Sequence, residues 1–90
     1  MKNYFNTGNI NSVLITGADG FIGSNLVDYL VSQDIKVKCL VYFDTQINWI
    51  KNQEKNIEII KGDILDLDSL YTIVQGVDIV FHLAGIVKSL

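Results

Sequence analysis

The chain has 90 residues, enough for one small domain with a single hydrophobic core. Its net charge is -3, so it offers no basic surface for a nucleic acid, and no apolar run approaches the roughly 20 residues that span a bilayer. Residues 1–11 lack the apolar core of a secretory signal. We therefore expect a cytoplasmic protein that makes no membrane contact, with residues 1–11 as a flexible leader.

The first predicted strand, Ser12 to Thr16, leads into three glycines spaced G-x-x-G-x-x-G. Gly17 lets the chain leave the strand through a tight turn, and Gly20 lets the backbone approach a pyrophosphate closely. Gly23 lies one turn into the next helix, where a missing side chain allows close packing on the strand. Unpaired N–H groups of the helix N-terminus then face the phosphates. This context predicts a dinucleotide site, and an ordinary strand-to-helix turn is the structural alternative.

The rest of the chain alternates predicted helices and strands. In order, they are a helix over 21–33, a strand over 36–42, a short helix over 46–53, a strand over 57–61, a helix over 66–75 and a strand over 79–83. The residues expected to form apolar stripes are Ile22, Leu26, Tyr29 and Leu30 in the first helix, Ile47, Trp49 and Ile50 in the second, and Leu67, Leu70, Ile73 and Val74 in the third.

Local signals support these boundaries and the way the elements are arranged. Asp66 is the predicted N-cap of the last helix and Gly76 its stop, and the single cysteine, Cys39, is predicted to be a buried structural thiol. Short connections between alternating strands and helices imply parallel pairing through right-handed crossovers. The expected fold is α/β, the N-terminal part of a doubly wound parallel (Rossmann) sheet with strand order 3-2-1-4.

Residues 15–26 read ITGADGFIGSNL, which resembles the N-terminal fingerprint of the extended short-chain dehydrogenase/reductase family, in its NAD-dependent epimerase/dehydratase branch acting on nucleotide sugars. Gly62-Asp63-Ile64 and Phe81-His82-Leu83-Ala84-Gly85 match two further family motifs in order and spacing. The family has H-L-A-A at the second place, so this chain departs from it at Gly85. The resemblance covers nearly everything from Ser12 to Leu90 and implies that 12–90 is a partial NAD(P)-binding Rossmann domain.

The resemblance also implies which residues contact the cofactor. At the glycine turn they are Gly17, Asp19, Gly20, Phe21, Ile22 and Gly23. By resemblance, the Asp63 carboxylate accepts a hydrogen bond from the adenine amino group while Ile64 packs on the ring, although a helix-capping or loop aspartate is the structural alternative. Leu83, Ala84 and Gly85 are expected to pass close to the ribose and nicotinamide side.

The end of the second strand is where the family reads the adenosine ribose, with an acidic residue for NAD and a basic one for NADP. Val41 and Tyr42 take that place here, and Asp44 follows, about 20 residues beyond the glycines. Asp44 favours NAD without excluding NADP; a solvated loop aspartate is the alternative. Residues 41–49 also resemble a segment of bacterial UDP-N-acetylglucosamine 4,6-dehydratases of the legionaminic acid type.

The family's catalytic tyrosine is followed four residues later by a lysine, and no tyrosine of this chain is. Tyr4, Tyr29, Tyr42 and Tyr71 are followed at that spacing by Gly8, Gln33, Gln46 and Gln75. We therefore predict no catalytic residue in the chain, and no redox chemistry by the chain alone. His82 alternates with neighbours expected to be buried, so we expect a packed, hydrogen-bonded histidine and not a catalytic one.

Two functions follow. One is the NAD(P)-binding N-terminal part of a nucleotide-sugar epimerase or 4,6-dehydratase-like oxidoreductase, which would bind a nucleotide sugar only with the rest of such an enzyme present. The alternative is a non-catalytic dinucleotide-binding module or degenerate remnant. If the chain is truncated, the fourth strand would be an apolar sheet edge, so self-association is also expected.

Overall fold

The computed structural model describes residues 10–43 and 47–83. Its elements are β1 (Ser12–Thr16), α1 (Phe21–Ser32), β2 (Lys36–Val41), a 3-10 turn (Lys51–Gln53), β3 (Ile57–Lys61), α2 (Leu67–Ile73) and β4 (Ile79–His82). The strands pair in parallel in the order β3-β2-β1-β4. The predicted α/β class, parallel pairing and 3-2-1-4 order are therefore confirmed.

The main core lies between α1 and one face of the sheet. Val13 and Ile15 of β1 point to this side and pack with Val27 and Leu30 of α1. Ile22, which the helical spacing placed in the apolar stripe, is exposed, so this expectation was wrong. The buried face of α1 is centred on Gly23, Val27 and Leu30, because the helix turns its glycine toward the strand.

The connection from β2 to β3 contains fewer helical residues than predicted. Instead of a helix over 46–53, the described part forms a 3-10 turn at Lys51–Gln53, and Gln46 lies outside the described residues. Ile47 and Ile50 are three residues apart, which matches the three residues per turn of a 3-10 geometry. Ile50 is fully buried and the Gln53 side chain donates to Asp28 of α1 at 2.9 Å, so this connection packs on the α1 side.

Helix α2 lies on the opposite side of the sheet and is capped as predicted. The Asp66 carboxylate accepts from the Ser69 backbone N–H at 3.2 Å and from the Ser69 hydroxyl at 2.7 Å, and these bonds hold the pKa of Asp66 below its ordinary value. Gly76 follows the helix with a φ of 76°. At the other end, Lys38 Nζ of β2 donates to the Ile73 carbonyl at 3.2 Å, where a cation complements the helix dipole.

Leu67 was predicted to face inward from α2, but it is exposed. A groove of about 510 Å³ separates α2 from the sheet, and Leu70 and Val74 line it together with Leu14 and Val80. Leu67 lies in the first turn of the helix and does not line this groove, so its side chain stays exposed.

Hydrogen bonds link the N-terminal ends of β1 and β4. Asp78 Oδ2 accepts from the backbone N–H groups of Asn11 at 2.7 Å and Ser12 at 3.1 Å. Of the predicted leader, residues 1–9 lie outside the described residues, and Ile10 packs against the core. Cys39 is buried in β2 as predicted, and burial raises the pKa of its thiol to about 12. Within the described ranges, no helix has the length and apolar character needed to cross a membrane.

Candidate functional site

Residues 17–23 join the carboxyl end of β1 to the N-terminus of α1. Gly17 has a φ of 73°, a backbone conformation that residues with a side chain rarely adopt. Its N–H donates to the Leu40 carbonyl at 3.1 Å. A Cβ on Gly23 would lie 2.7 Å from both the Gly17 carbonyl oxygen and the Ala18 Cα. The backbone of the turn itself therefore requires glycine at both positions.

Gly20 differs, because no contact with the described residues requires its missing side chain. A Cβ there would meet only the Gly17 carbonyl oxygen, at 3.8 Å, and its φ of -82° suits any residue. Gly20 is exposed and is the N-cap of α1, where no side chain caps the helix and no acidic residue occupies the first turn. A surface helix N-terminus of this kind presents N–H groups and positive dipole to an anion that can approach closely.

The other turn residues differ in exposure. Asp19 is half-buried, whereas Phe21 and Ile22 are exposed at the start of α1. The Phe21 ring contacts Trp49 edge to face, with centroids 5.6 Å apart and an interplanar angle of 84°. Sequence reasoning placed Trp49 in an inward stripe, but it is exposed beside the glycine turn.

The end of β3 lies beside the end of β2. The Gly62 N–H donates to the Val41 carbonyl at 2.9 Å, which carries the strand pairing one residue past β3. Asp63 follows, half-buried, and its Oδ1 accepts from the Leu65 backbone N–H at 2.9 Å. This short turn fixes the carboxylate at the sheet edge, and Ile64 next to it lines the groove under α2.

At the ends of β1 and β4, Thr16 Oγ1 and His82 Nδ1 lie 2.7 Å apart. The prediction of a hydrogen-bonded His82 is confirmed, but the prediction of a packed one was wrong: the side chain is exposed and lines the open groove under α2. Leu83 donates its N–H to the Thr16 carbonyl at 3.0 Å and packs against the core. The predicted contacts Asp44, Ala84 and Gly85 lie outside the described residues.

The parallel sheet brings the described candidate site residues to the edge formed by the carboxyl ends of its strands. The glycine turn follows β1, Asp63 and Ile64 follow β3, and Leu83 follows β4. In doubly wound sheets, ligands bind in the crevice at these carboxyl ends. The arrangement can hold an extended ligand whose anionic part meets α1 and whose other end reaches Asp63.

Comparisons with known proteins agree with this geometry. Residues 13–90 match the NAD dependent epimerase/dehydratase family. A 3 beta-hydroxysteroid dehydrogenase/Delta 5-->4-isomerase of Mycobacterium tuberculosis is 34% identical over 82 residues, which are 91% of this chain and 21% of that protein. A UDP-N-acetyl-alpha-D-glucosaminuronate decarboxylase of Bacillus cytotoxicus is 39% identical over 74 residues, 81% of this chain and 23% of that protein.

Among solved structures, the fold is similar to that of dTDP-glucose 4,6-dehydratase from Bacillus anthracis in complex with NAD. The TM-score is 0.74 at 26% identity, over 82% of this chain and 26% of that one. The chain thus spans about a fifth to a quarter of the length of the proteins that it matches.

Proposed function

Because the chain belongs to the NAD-dependent epimerase/dehydratase family, we propose that residues 12–90 are the dinucleotide-binding N-terminal part of a nucleotide-sugar epimerase or 4,6-dehydratase-like oxidoreductase. Gly20 carries the proposal. It is exposed at a helix N-terminus that no side chain caps, and contacts within residues 10–43 and 47–83 create no steric need for glycine there. A ligand that approaches the backbone closely supplies the missing reason.

The residues present fit NAD, which supplies a hydride acceptor when bound. Backbone N–H groups of the turn between Gly17 and Gly23, with Asp19, Phe21 and Ile22 lining it, would hold the pyrophosphate. The Gly17 N–H is excluded, because it donates to the Leu40 carbonyl. Asp63 has one oxygen in its own turn, which leaves Oδ2 to accept from the adenine amino group, with Ile64 against the ring. We assign Asp44 to the adenosine ribose and Leu83, Ala84 and Gly85 to the nicotinamide side, as the family fingerprint suggests.

The chain alone is proposed to bind cofactor without turnover. No tyrosine in it is followed by lysine four residues later, so the family's proton-transfer pair would come from elsewhere in such an enzyme. A non-catalytic dinucleotide-binding module is the second candidate, since the glycine turn would serve it without a tyrosine–lysine pair. The similar proteins include one named for a hydroxysteroid and one named for a nucleotide sugar, so their names do not agree on a substrate class. We therefore propose a nucleotide sugar from the fingerprint at residues 15–26 alone.

Calorimetric titration with NAD and NADP tests the proposal, with Gly20→Val as the matched variant. We expect the unmodified chain to bind NAD, to prefer it over NADP through Asp44, and to lose at least about tenfold in affinity in the variant, equal to 1.4 kcal/mol. A β-branched side chain blocks the phosphate approach, while its Cβ makes only an ordinary van der Waals contact, 3.8 Å from the Gly17 carbonyl oxygen.

Amide NMR spectra should show that both proteins are folded. A folded unmodified chain that binds neither dinucleotide would contradict the proposal and favour a remnant that has lost its ligand. Equal NAD affinity in the two proteins would remove Gly20 from the site.

A further inference from the structure

Two exposed aromatic side chains follow β2 directly. Tyr42 is 57% exposed and Phe43 54% exposed, and their rings contact each other with centroids 5.6 Å apart and an interplanar angle of 65°. Aromatic rings contribute large apolar areas when buried, so a contacting pair left this open at a sheet edge is a candidate ligand surface.

The sheet register fixes where this pair lies. On one side of β2, Leu40 pairs with Thr16 and accepts from the Gly17 N–H. On the other side, Val41 pairs with Lys61 and accepts from the Gly62 N–H. Neighbouring strands are about 4.8 Å apart, so the chain leaves β2 at Tyr42 between the glycine turn and the Gly62–Asp63 segment.

Tyr42 and Phe43 carry aromatic side chains at the end of β2, where a charged side chain is common. A carboxylate or a basic side chain at the end of this strand commonly reads the adenosine ribose or its 2′-phosphate. Here the first two positions carry a phenol and a phenyl ring instead. A dinucleotide lying from the glycine turn to Asp63 would therefore pass an aromatic surface, and such a surface recognises flat bases by stacking.

We propose that Tyr42 and Phe43 form a stacking wall of the adenine site, beside Asp63 and Ile64. The inference rests on the proposed function, since it needs a dinucleotide at this edge. It adds a distinct source of affinity: the turn binds the phosphates, Asp63 reads the amino group, and one ring of the aromatic pair lies against the face of the adenine. The other ring, tilted by 65°, supports the first one edge to face. Base stacking of this kind is sequence-tolerant, so the wall contributes affinity for any purine.

The test uses ADP-ribose as the probe, with calorimetry for affinity and proton NMR for the adenine H2 and H8 resonances. The variants are Tyr42→Leu, Phe43→Leu and their combination; Tyr42→Phe keeps the ring. Tyr71→Leu is the matched control, because Tyr71 is an aromatic residue that is 73% exposed within α2, outside the strand ends that carry the proposed site. We expect the double variant to lose about tenfold in affinity, and Tyr42→Phe and Tyr71→Leu to change it less than about twofold.

Stacking also predicts a spectroscopic signature that a structural role would not produce. Ring currents should move H2 and H8 upfield when the unmodified chain binds, and the displacement should shrink in the double variant. Binding without that displacement, or a double variant that binds within about twofold of the unmodified chain, would overturn the stacking wall while leaving the proposed function in place.

The two proposals fail differently. If neither the unmodified chain nor any variant binds ADP-ribose, both are wrong. If Gly20→Val abolishes binding and the double variant does not weaken it, only the stacking wall is wrong. A double variant that changes sedimentation but not ADP-ribose affinity would make the pair a contact between copies of the chain, which also overturns the wall.

Discussion

Gly20 and Gly23 occupy one turn for different physical reasons. At Gly23 the nearest atoms to an added Cβ belong to the backbone of Gly17 and Ala18, which cannot move without opening the turn. At Gly20 the protein leaves the space open. The spacing of the glycines already predicted close packing at Gly23 and room for a ligand at Gly20. The distances could not be predicted, because they depend on how closely α1 approaches β1.

Replacing each glycine by alanine separates the two roles. Gly23→Ala should lower the free energy of unfolding by about 1–3 kcal/mol, the usual cost of overpacking, because its Cβ would sit 2.7 Å from backbone atoms. Gly20→Ala should cost less than about 1 kcal/mol, because alanine is a poorer N-cap than glycine but its methyl group meets no close contact. Urea denaturation followed by circular dichroism measures both values, and equal stability of the two variants would contradict this account of the turn.

At the scale of elements, the strands were predicted well because each is a short run rich in apolar residues and bounded by polar turns. β1 and β3 match their predicted limits, and β4 ends one residue early. The helices were less predictable, because their stripes show which residues can pack and not what they meet. Leu67 has the right spacing in α2, but it does not line the groove between α2 and the sheet and stays exposed.

Asp66 offers a test of how much α2 depends on its cap. Asp66→Ala removes both hydrogen bonds to Ser69, so amide exchange of residues 67–73 should become faster, whereas Asp66→Asn retains a side-chain oxygen acceptor and should stay closer to the unmodified chain. Unchanged exchange in the alanine variant would show that the cap contributes nothing to α2.

The same cap sets an expected pH dependence. The pKa of Asp66 is lowered in the folded state, chiefly by the Ser69 hydroxyl, from an ordinary value of 3.8. Its stabilising effect should therefore be complete above that ordinary value and be lost as the pH falls through the lowered one. The asparagine variant should lack this component of the pH dependence.

At the scale of the whole molecule, the two faces of the sheet differ. The α1 face holds a continuous buried core, whereas the other face carries the groove under α2 and several exposed apolar side chains: Leu65, Leu67, Tyr71 and Val80. Within the described residues, β4 pairs only with β1 and so ends the sheet. An apolar face beside an open strand edge favours association.

We therefore predict that the chain self-associates through this face, with a second copy covering the groove and the β4 edge. Val80, 48% exposed on β4, lies at the junction of the two, so Val80→Lys should shift the population toward monomer. Asn52→Lys adds the same charge at an exposed position in the β2–β3 connection, packed on the α1 side, and should leave association unchanged. Sedimentation equilibrium over a range of concentrations distinguishes these outcomes. If the unmodified chain stays monomeric at every concentration, the groove does not bind a second copy. If both variants shift the population equally, the effect comes from net charge and not from the apolar face.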